Sequence, residues 1–297
     1  MPPHDPVLVL NGLLDTETNV KVVISHSVDA FSNNVPSFIR NANVTLWQDD
    51  LFIDSLKADM TDLVYVFYDS DNSELDSLPM YYYKSNFTPQ KNQTYTVEAS
   101  HPDYPSVYAS TYVPEDMVVY DIDIDTTLTD ERIGLTFSFD DNAYQENYYR
   151  LKLFSSCKKV WEDYDGYIQE IDFRGDVVFM SNDLSFPSNV RPFDLMEGSY
   201  SFYGDRVVFS DALFNGQKKT ITIDVETELK YADCDTIMIR FSTFSDDTYS
   251  YYNSLIDHSG KGELGLFGGE VIPVYSNVEN GLGVLISTNA QKIYLKP

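Results

Sequence analysis

The sequence is poor in cysteine, histidine and basic side chains, and each shortage narrows what it can do. Its two cysteines, Cys157 and Cys234, match no CxxC metal or redox spacing. They could pair in an oxidising compartment or stand as two buried thiols. The four histidines, His4, His26, His101 and His258, never form HxH or HExxH, the spacings that set two imidazoles on one face of a strand or helix. Each is read as an ordinary surface or core residue. No GxSxG nucleophile elbow occurs, and neither cysteine stands in a protease context. Lys and Arg number 20 against 47 Asp and Glu, a formal charge of −27 that repels phosphate backbones and anionic head groups. Nucleic acid is not an expected partner. No run of eighteen apolar residues exists, and no basic stretch followed by an apolar one opens "MPPHDPVLVL", so neither a membrane-crossing helix nor an export signal is expected within these residues.

What the sequence has in plenty is alternation with a period of two. Tyr95, Val97 and Ala99 share a face in "TYTVEAS", as do Ile221, Ile223 and Val225 in "TITIDVE", and Ile237, Ile239 and Phe241 in "IMIRFS". In "YDIDID", Tyr120, Ile122 and Ile124 are expected on one face and Asp121, Asp123 and Asp125 on the other. That is the pattern of half-buried strands, and 23 tyrosines and 18 phenylalanines suit a pleated surface. One segment, "SDDTYSYYNSLIDH", instead spaces Tyr249, Tyr252, Leu255 and Ile256 helically. Ser245 is its expected N-cap, Asp246 and Asp247 suit the positive end of the helix dipole, and a short helix is predicted near 246–257. Asn280-Gly281 predicts a two-residue type I′ hairpin turn, which needs positive φ at both positions.

The fold class is all-β. An N-terminal Ig-like or transthyretin-like β-sandwich is expected over residues 1–116, with strands at roughly 7–13, 20–26, 43–48, 51–56, 63–68, 80–84, 94–100 and 107–113. Pro114 interrupts the chain there. A larger antiparallel β-sandwich or barrel carrying the single helix is expected over 117–297.

No motif assigns a catalytic group or a cofactor. The carboxylates are too abundant for any pair to single out a glycosidase, and the Asp121, Asp123 and Asp125 face is read as solvated rather than as a cation site. "DSDNSELDSLPM" begins like a calcium loop, but its sixth position is Glu74 and its twelfth Met80, where glycine and a bidentate carboxylate are required. No metal site is expected. Tyrosine clusters are the better candidates. In "YYYK", Tyr81 and Tyr83 share a face and Tyr82 takes the other; "YSYYN" supplies Tyr249 and Tyr251. Tyr81, Tyr83, Tyr249 and Tyr251 are the candidate ligand- or partner-binding residues, since a rigid ring with a polar tip binds at low entropic cost. Packing is their alternative role.

Several segments carry a family resemblance: "VLVLNGLLDTETNVKVVISHS", "NANVTLWQDD", "YTVEASHPDYPSVYASTYVP", "NYYRLKLF", "FSDALFNGQ", "SDDTYSYYNSL" and, above all, "PVYSNVENGLGVL" from Pro273 to Leu285. In this order they resemble the Bacteroidetes family catalogued as domain of unknown function 4249. The resemblance implies an exported lipoprotein, acylated on an N-terminal cysteine of its precursor and held on the outer membrane, facing outward. It implies a TonB-dependent outer-membrane receptor as partner, an extracellular cargo, and no catalytic residues. An acidic body can ride on lipid chains without a basic patch. The expected function is accessory binding in nutrient uptake. The rival expectations are a glycan or peptide hydrolase using a carboxylate pair, and an adhesion or structural module.

Overall fold

The computed structural model describes residues 5–28, 37–69, 75–129, 132–189, 200–226, 233–262 and 273–295. Strands make up 64% of it, with one short helix, large antiparallel sheets and no closed barrel among the described residues. The chain divides into two compact units, Met1–Glu115 with Phe244–Asn289, and Asp116–Thr243 with Ala290–Pro297. Residues 244–289, placed by the sequence reading in the second domain, therefore group with the first unit.

The first unit contains β1 (Leu8–Asp15), β2 (Lys21–His26), β3 (Asn43–Gln48), β4 (Leu51–Asp69), β5 (Leu75–Lys84), β6 (Gln93–His101) and β7 (Tyr104–Val113). It also holds the helix α1 (Asp246–Gly262) and the first part of β17 (Leu282–Leu295). The strand order is β17-β1-β2-β5-β4-β3-β6-β7. The two strands expected at 51–56 and 63–68 are one long β4. Its start pairs with β3 and its remainder with β5, so a single strand runs out of one sheet into another. The alternating apolar faces close on a core that includes Leu10, Ile24, Leu46, Tyr95, Val97 and Val107.

β17 departs from the expected antiparallel plan. It runs parallel to β1, with Leu10 opposite Gly283 and Leu14 opposite Ser287. A parallel neighbour needs a long connection; here the chain reaches β17 through α1 and the segment after it. Ser245 caps α1, its hydroxyl accepting the Thr248 N–H at 3.2 Å. The cap is tied to β17 by Thr248, whose hydroxyl donates to Ser287 O at 2.7 Å and accepts Ser287 N–H at 2.9 Å. These bonds explain why the helix belongs to the first unit. The face turned inward is that of fully buried Thr248, while Ile256 is 64% exposed, so the predicted apolar stripe is not the buried one.

The Asn280-Gly281 hairpin is not formed. Asn280 has a positive φ of 59°, but Gly281 does not, and a type I′ turn needs both. Glu279 instead bridges to Tyr108, its N–H donating to Tyr108 O at 2.8 Å. Gly281 is needed for space: a Cβ there would lie 2.5 Å from both Leu8 O and Val107 Cγ1.

The second unit contains β8 (Val119–Thr129), β9 (Arg132–Asp140), β10 (Tyr148–Glu162), β11 (Ile168–Val177), β12 (Phe179–Ser181), β13 (Phe202–Gly204), β14 (Arg206–Ser210), β15 (Lys218–Glu226) and most of β16 (Asp233–Phe244). One sheet runs β13-β12-β15-β9-β8; the other places β10 between β11 and β16, with β14 also on β10. Their inner faces meet in an aromatic core. The Phe139 ring lies 4.8 Å from Phe241 and 5.0 Å from Tyr149, centroid to centroid. Such tilted pairs add about 0.5–1.5 kcal/mol each beyond area burial.

β8 breaks the expected alternation. Tyr120 pairs with Ser138 and Asp123 with Thr136, so two residues of β8 stand against one of β9, and Asp121 takes a positive φ of 50°. This bulge turns Ile122 outward and displaces Asp121 from the face of its neighbours; Asp121 pairs with Lys218 at 2.7 Å. Residues 70–74 of the calcium-like loop lie outside the described residues. Cys157 is disulfide-bonded, and the Cys234 side chain lies outside the described residues.

Candidate functional site

The candidate site is an open cleft of about 460 Å³ in the first unit, lined by His26, Ser37, Phe38, Ile39, Arg40, Asn41, Tyr81, His101, Asp103 and Tyr104. Sheet pairing assembles it. β6 and β7 are joined by the tight Pro102-Asp103 turn, which sets His101 opposite Tyr104. β2 ends at His26, and the His26 and Tyr104 rings stack at 6.0 Å with an 8° interplanar angle. His101 meets the same tyrosine at 5.4 Å and 43°. Two histidines 75 positions apart in the sequence thus share one phenol ring.

Hydrogen bonding fixes what each group has left to offer. The Ser27 carbonyl can only accept, so His26 Nδ1 donates to it at 3.0 Å, and Nε2 accepts from the Ser37 hydroxyl at 2.8 Å. Both ring nitrogens are engaged, and His26 serves as a flat wall. His101 Nδ1 accepts the Asp103 N–H at 3.2 Å, which leaves its Nε2 proton for a ligand. Arg40 has no hydrogen-bond or ion-pair partner among the described residues. In a chain of charge −27, an exposed guanidinium left unpaired beside aromatic rings suits a ligand that joins an oxyanion to a flat or ring-shaped body.

Tyr81 lines this cleft, whereas Tyr83 does not reach a surface. Tyr83 is 1% exposed; its hydroxyl donates to Ile39 O at 3.0 Å and accepts Ala42 N–H at 2.9 Å. It pins the 39–42 segment that carries Arg40, so its role is support. Tyr249 and Tyr251 sit half-buried on α1, which contributes nothing to the cleft lining. Sequence reasoning missed His26, Arg40, His101 and Tyr104. Only the two-residue turn in "HPDY" hinted that His101 and Tyr104 would be cross-strand neighbours.

A second depression, of about 350 Å³ in the second unit, is lined by residues including Asp183, Tyr200, Thr220, Thr222 and Asp224. Its carboxylates are committed. Asp183 accepts from Lys219 at 2.7 Å and from the Ser185 N–H at 2.9 Å. Asp224 accepts the Tyr200 hydroxyl, which in turn accepts from Arg132 at 2.8 Å. Burial, and then the Asp224 carboxylate, push the Tyr200 phenol up. Among the described residues no group of three or more His, Cys, Asp or Glu is placed to hold a metal ion.

The quoted segments also find structural roles. Asn277 pairs like a strand residue, its side chain donating to Leu285 O at 2.8 Å and accepting Leu285 N–H at 2.9 Å. Asp211, 3% exposed, accepts the Asn147 N–H at 2.9 Å; burial raises its pKa, against the pull of that bond. Asp141 accepts both the Tyr149 hydroxyl and the Gly216 N–H.

A family profile described as Domain of unknown function (DUF4249) matches residues 1–293. The chain belongs to this family. No curated protein matches the DUF4249 chain. Among solved structures it is similar to one described as "Biofilm associated protein - B domain", at 8% identity, over 97% of this chain and 86% of that one, with a TM-score of 0.19. So low a score carries no argument about the DUF4249 fold. No described helix is long and apolar enough to cross a membrane.

Proposed function

We propose that this protein is a non-enzymatic accessory lipoprotein of the outer membrane, lipid-anchored at the N-terminus of its precursor and facing outward. It captures an extracellular cargo for a TonB-dependent receptor, with the Arg40 cleft as the cargo site. The address rests on what the family resemblance implies, the matched family being one of unknown function. The observation that carries the binding role is the Arg40 guanidinium, without a hydrogen-bond or ion-pair partner among the described residues, in an open cleft walled by the rings of His26, Tyr104 and His101. These groups recognise a ligand by charge and shape, and the scaffold under them is rigid sheet.

The test is titration of the full chain with glucuronate and with glucose, followed by NMR of the tyrosine rings. Glucuronate is expected to shift Tyr104 and Tyr81 and to bind about tenfold tighter than glucose, as one charge-assisted contact of roughly 1.4 kcal/mol requires. Arg40→Ala should erase the difference. If neither sugar moves those rings, the cleft is not a cargo site of this kind. A carboxylate-pair hydrolase is the second reading, favoured only by Asp183 and Asp224 lining one depression; glycan or peptide hydrolysis abolished by both Asp183→Asn and Asp224→Asn would establish it.

A further inference from the structure

β10 and β11 form a hairpin whose tip presents large apolar side chains to solvent. Tyr164 is fully exposed, Tyr167 and Ile168 are each 68% exposed, and Val160 and Trp161 are 53% and 42% exposed. Single exposed apolar residues need no explanation, but a cluster at one hairpin tip does. Cross-strand register sets Trp161 with Gln169 on one face of the hairpin and Glu162 with Ile168 on the other, so the apolar side chains cover both faces of the tip and the turn that joins them.

The tip is also built to hold its shape. Asp163 Oδ1 accepts the N–H groups of Asp165 at 3.0 Å and Tyr167 at 2.9 Å, and Oδ2 accepts the Gln169 amide at 2.7 Å. The backbone closes through Asp163 N–H to Tyr167 O at 2.9 Å and Gly166 N–H to Asp163 O at 3.0 Å, with Gly166 at the φ of 83° that the turn needs. A turn fixed before binding loses little entropy on binding, and exposed Tyr and Trp are the side chains that anchor protein interfaces.

We infer that this hairpin tip docks into a pocket of a partner protein that has an apolar floor and a rim of lysine or arginine. The rim chemistry follows from charge complementarity. Glu162, Asp163 and Asp165 flank the apolar group, and nearby Lys158 is paired with Glu170. A second copy of the same −27 chain would set like charges together, and an anionic lipid surface would repel the same carboxylates. The inference rests on the accessory-protein reading in one respect: a TonB-dependent outer-membrane receptor of the source organism is the partner on which it is tested.

The lipidated full chain is measured against that receptor in mild detergent, as wild type and as Tyr164→Ser/Tyr167→Ser/Ile168→Ser. Wild type is expected to bind, the triple variant to lose at least about tenfold in affinity with an unchanged unfolding midpoint, and binding to weaken at high salt. Glu162→Lys/Asp165→Lys, which leaves the rings in place, should slow association. Equal binding by wild type and triple variant overturns the docking assignment and leaves the accessory reading standing. No binding by wild type removes both. Flotation of the unlipidated chain with phosphatidylcholine/phosphatidylglycerol vesicles, lost in the triple variant, would reassign the tip to a membrane surface and overturn the protein-pocket assignment.

Discussion

Gly283 lies so close to Leu10 that a Cβ on it would meet the Leu10 carbonyl oxygen at 2.1 Å. Its φ of 106° is one that L side chains rarely adopt. The parallel seam between β1 and β17 therefore depends on glycine at this position. Gly283→Ala is expected to cost about 2–4 kcal/mol, combining backbone strain with overpacking against a main-chain atom. Urea unfolding of the full chain measures it, and a change below about 0.5 kcal/mol would show that the seam is not so tight.

Tyr83→Phe should separate support from contact. The substitution leaves Ile39 O without its donor and Ala42 N–H without its acceptor, at a cost of about 1–3 kcal/mol for buried groups. Crystallography or amide exchange should find the 39–42 segment loosened. Any loss of ligand affinity should appear through Arg40 rather than as a lost direct contact, so the Tyr104 ring shift at saturating ligand should be unchanged.

The hairpin tip should respond to acid. Asp163 is held below the ordinary aspartate value of 3.8, first by the Gln169 amide and then by the Tyr167 N–H. A carboxylate depressed in the folded state stabilises it above the unfolded value, and that contribution is lost as pH falls through the lower folded value. The Tyr167 and Asp165 amide resonances should therefore titrate with a midpoint below 3.8. A midpoint at or above that value would mean the turn is not organised by this carboxylate.

Cys157 is disulfide-bonded, on a strand adjacent to the one that carries Cys234, and the chain has no other cysteine. A non-reducing peptide map should recover the two cysteine peptides as one linked species. Reduction should lower stability by about 2–4 kcal/mol, as for closure of a long loop. Two free thiols by alkylation of the unreduced protein would contradict this.

Much of the fold was legible because strand periodicity is a local property. The alternations at Tyr95–Ala99 and Ile221–Val225 bury the side chains they predict, and Ser245 caps the helix it announces. Local signals failed where a long-range contact outweighed them. Asn280-Gly281 has hairpin chemistry, but the close approach of Leu8 and Val107 claims the glycine. The alternation of "YDIDID" is broken by a bulge in its pairing with β9. Tyr81 and Tyr83 read alike along the strand, yet one lines a cleft and the other is core, because depth in a packed sheet is not written in periodicity.

The sequence by itself determined the class of structure: alternating apolar and aromatic residues at period two, with one helical interruption, must bury their faces as sheets. It also determined the acidic charge against which the exposed Arg40 stands out. Tertiary structure alone decided that β17 lies parallel to β1, that α1 belongs with the first unit, and that His26, Arg40, His101 and Tyr104 meet. Those relations depend on strand pairings between residues far apart in the chain, whose partners are chosen by the packing of the whole core and not by any local run of residues.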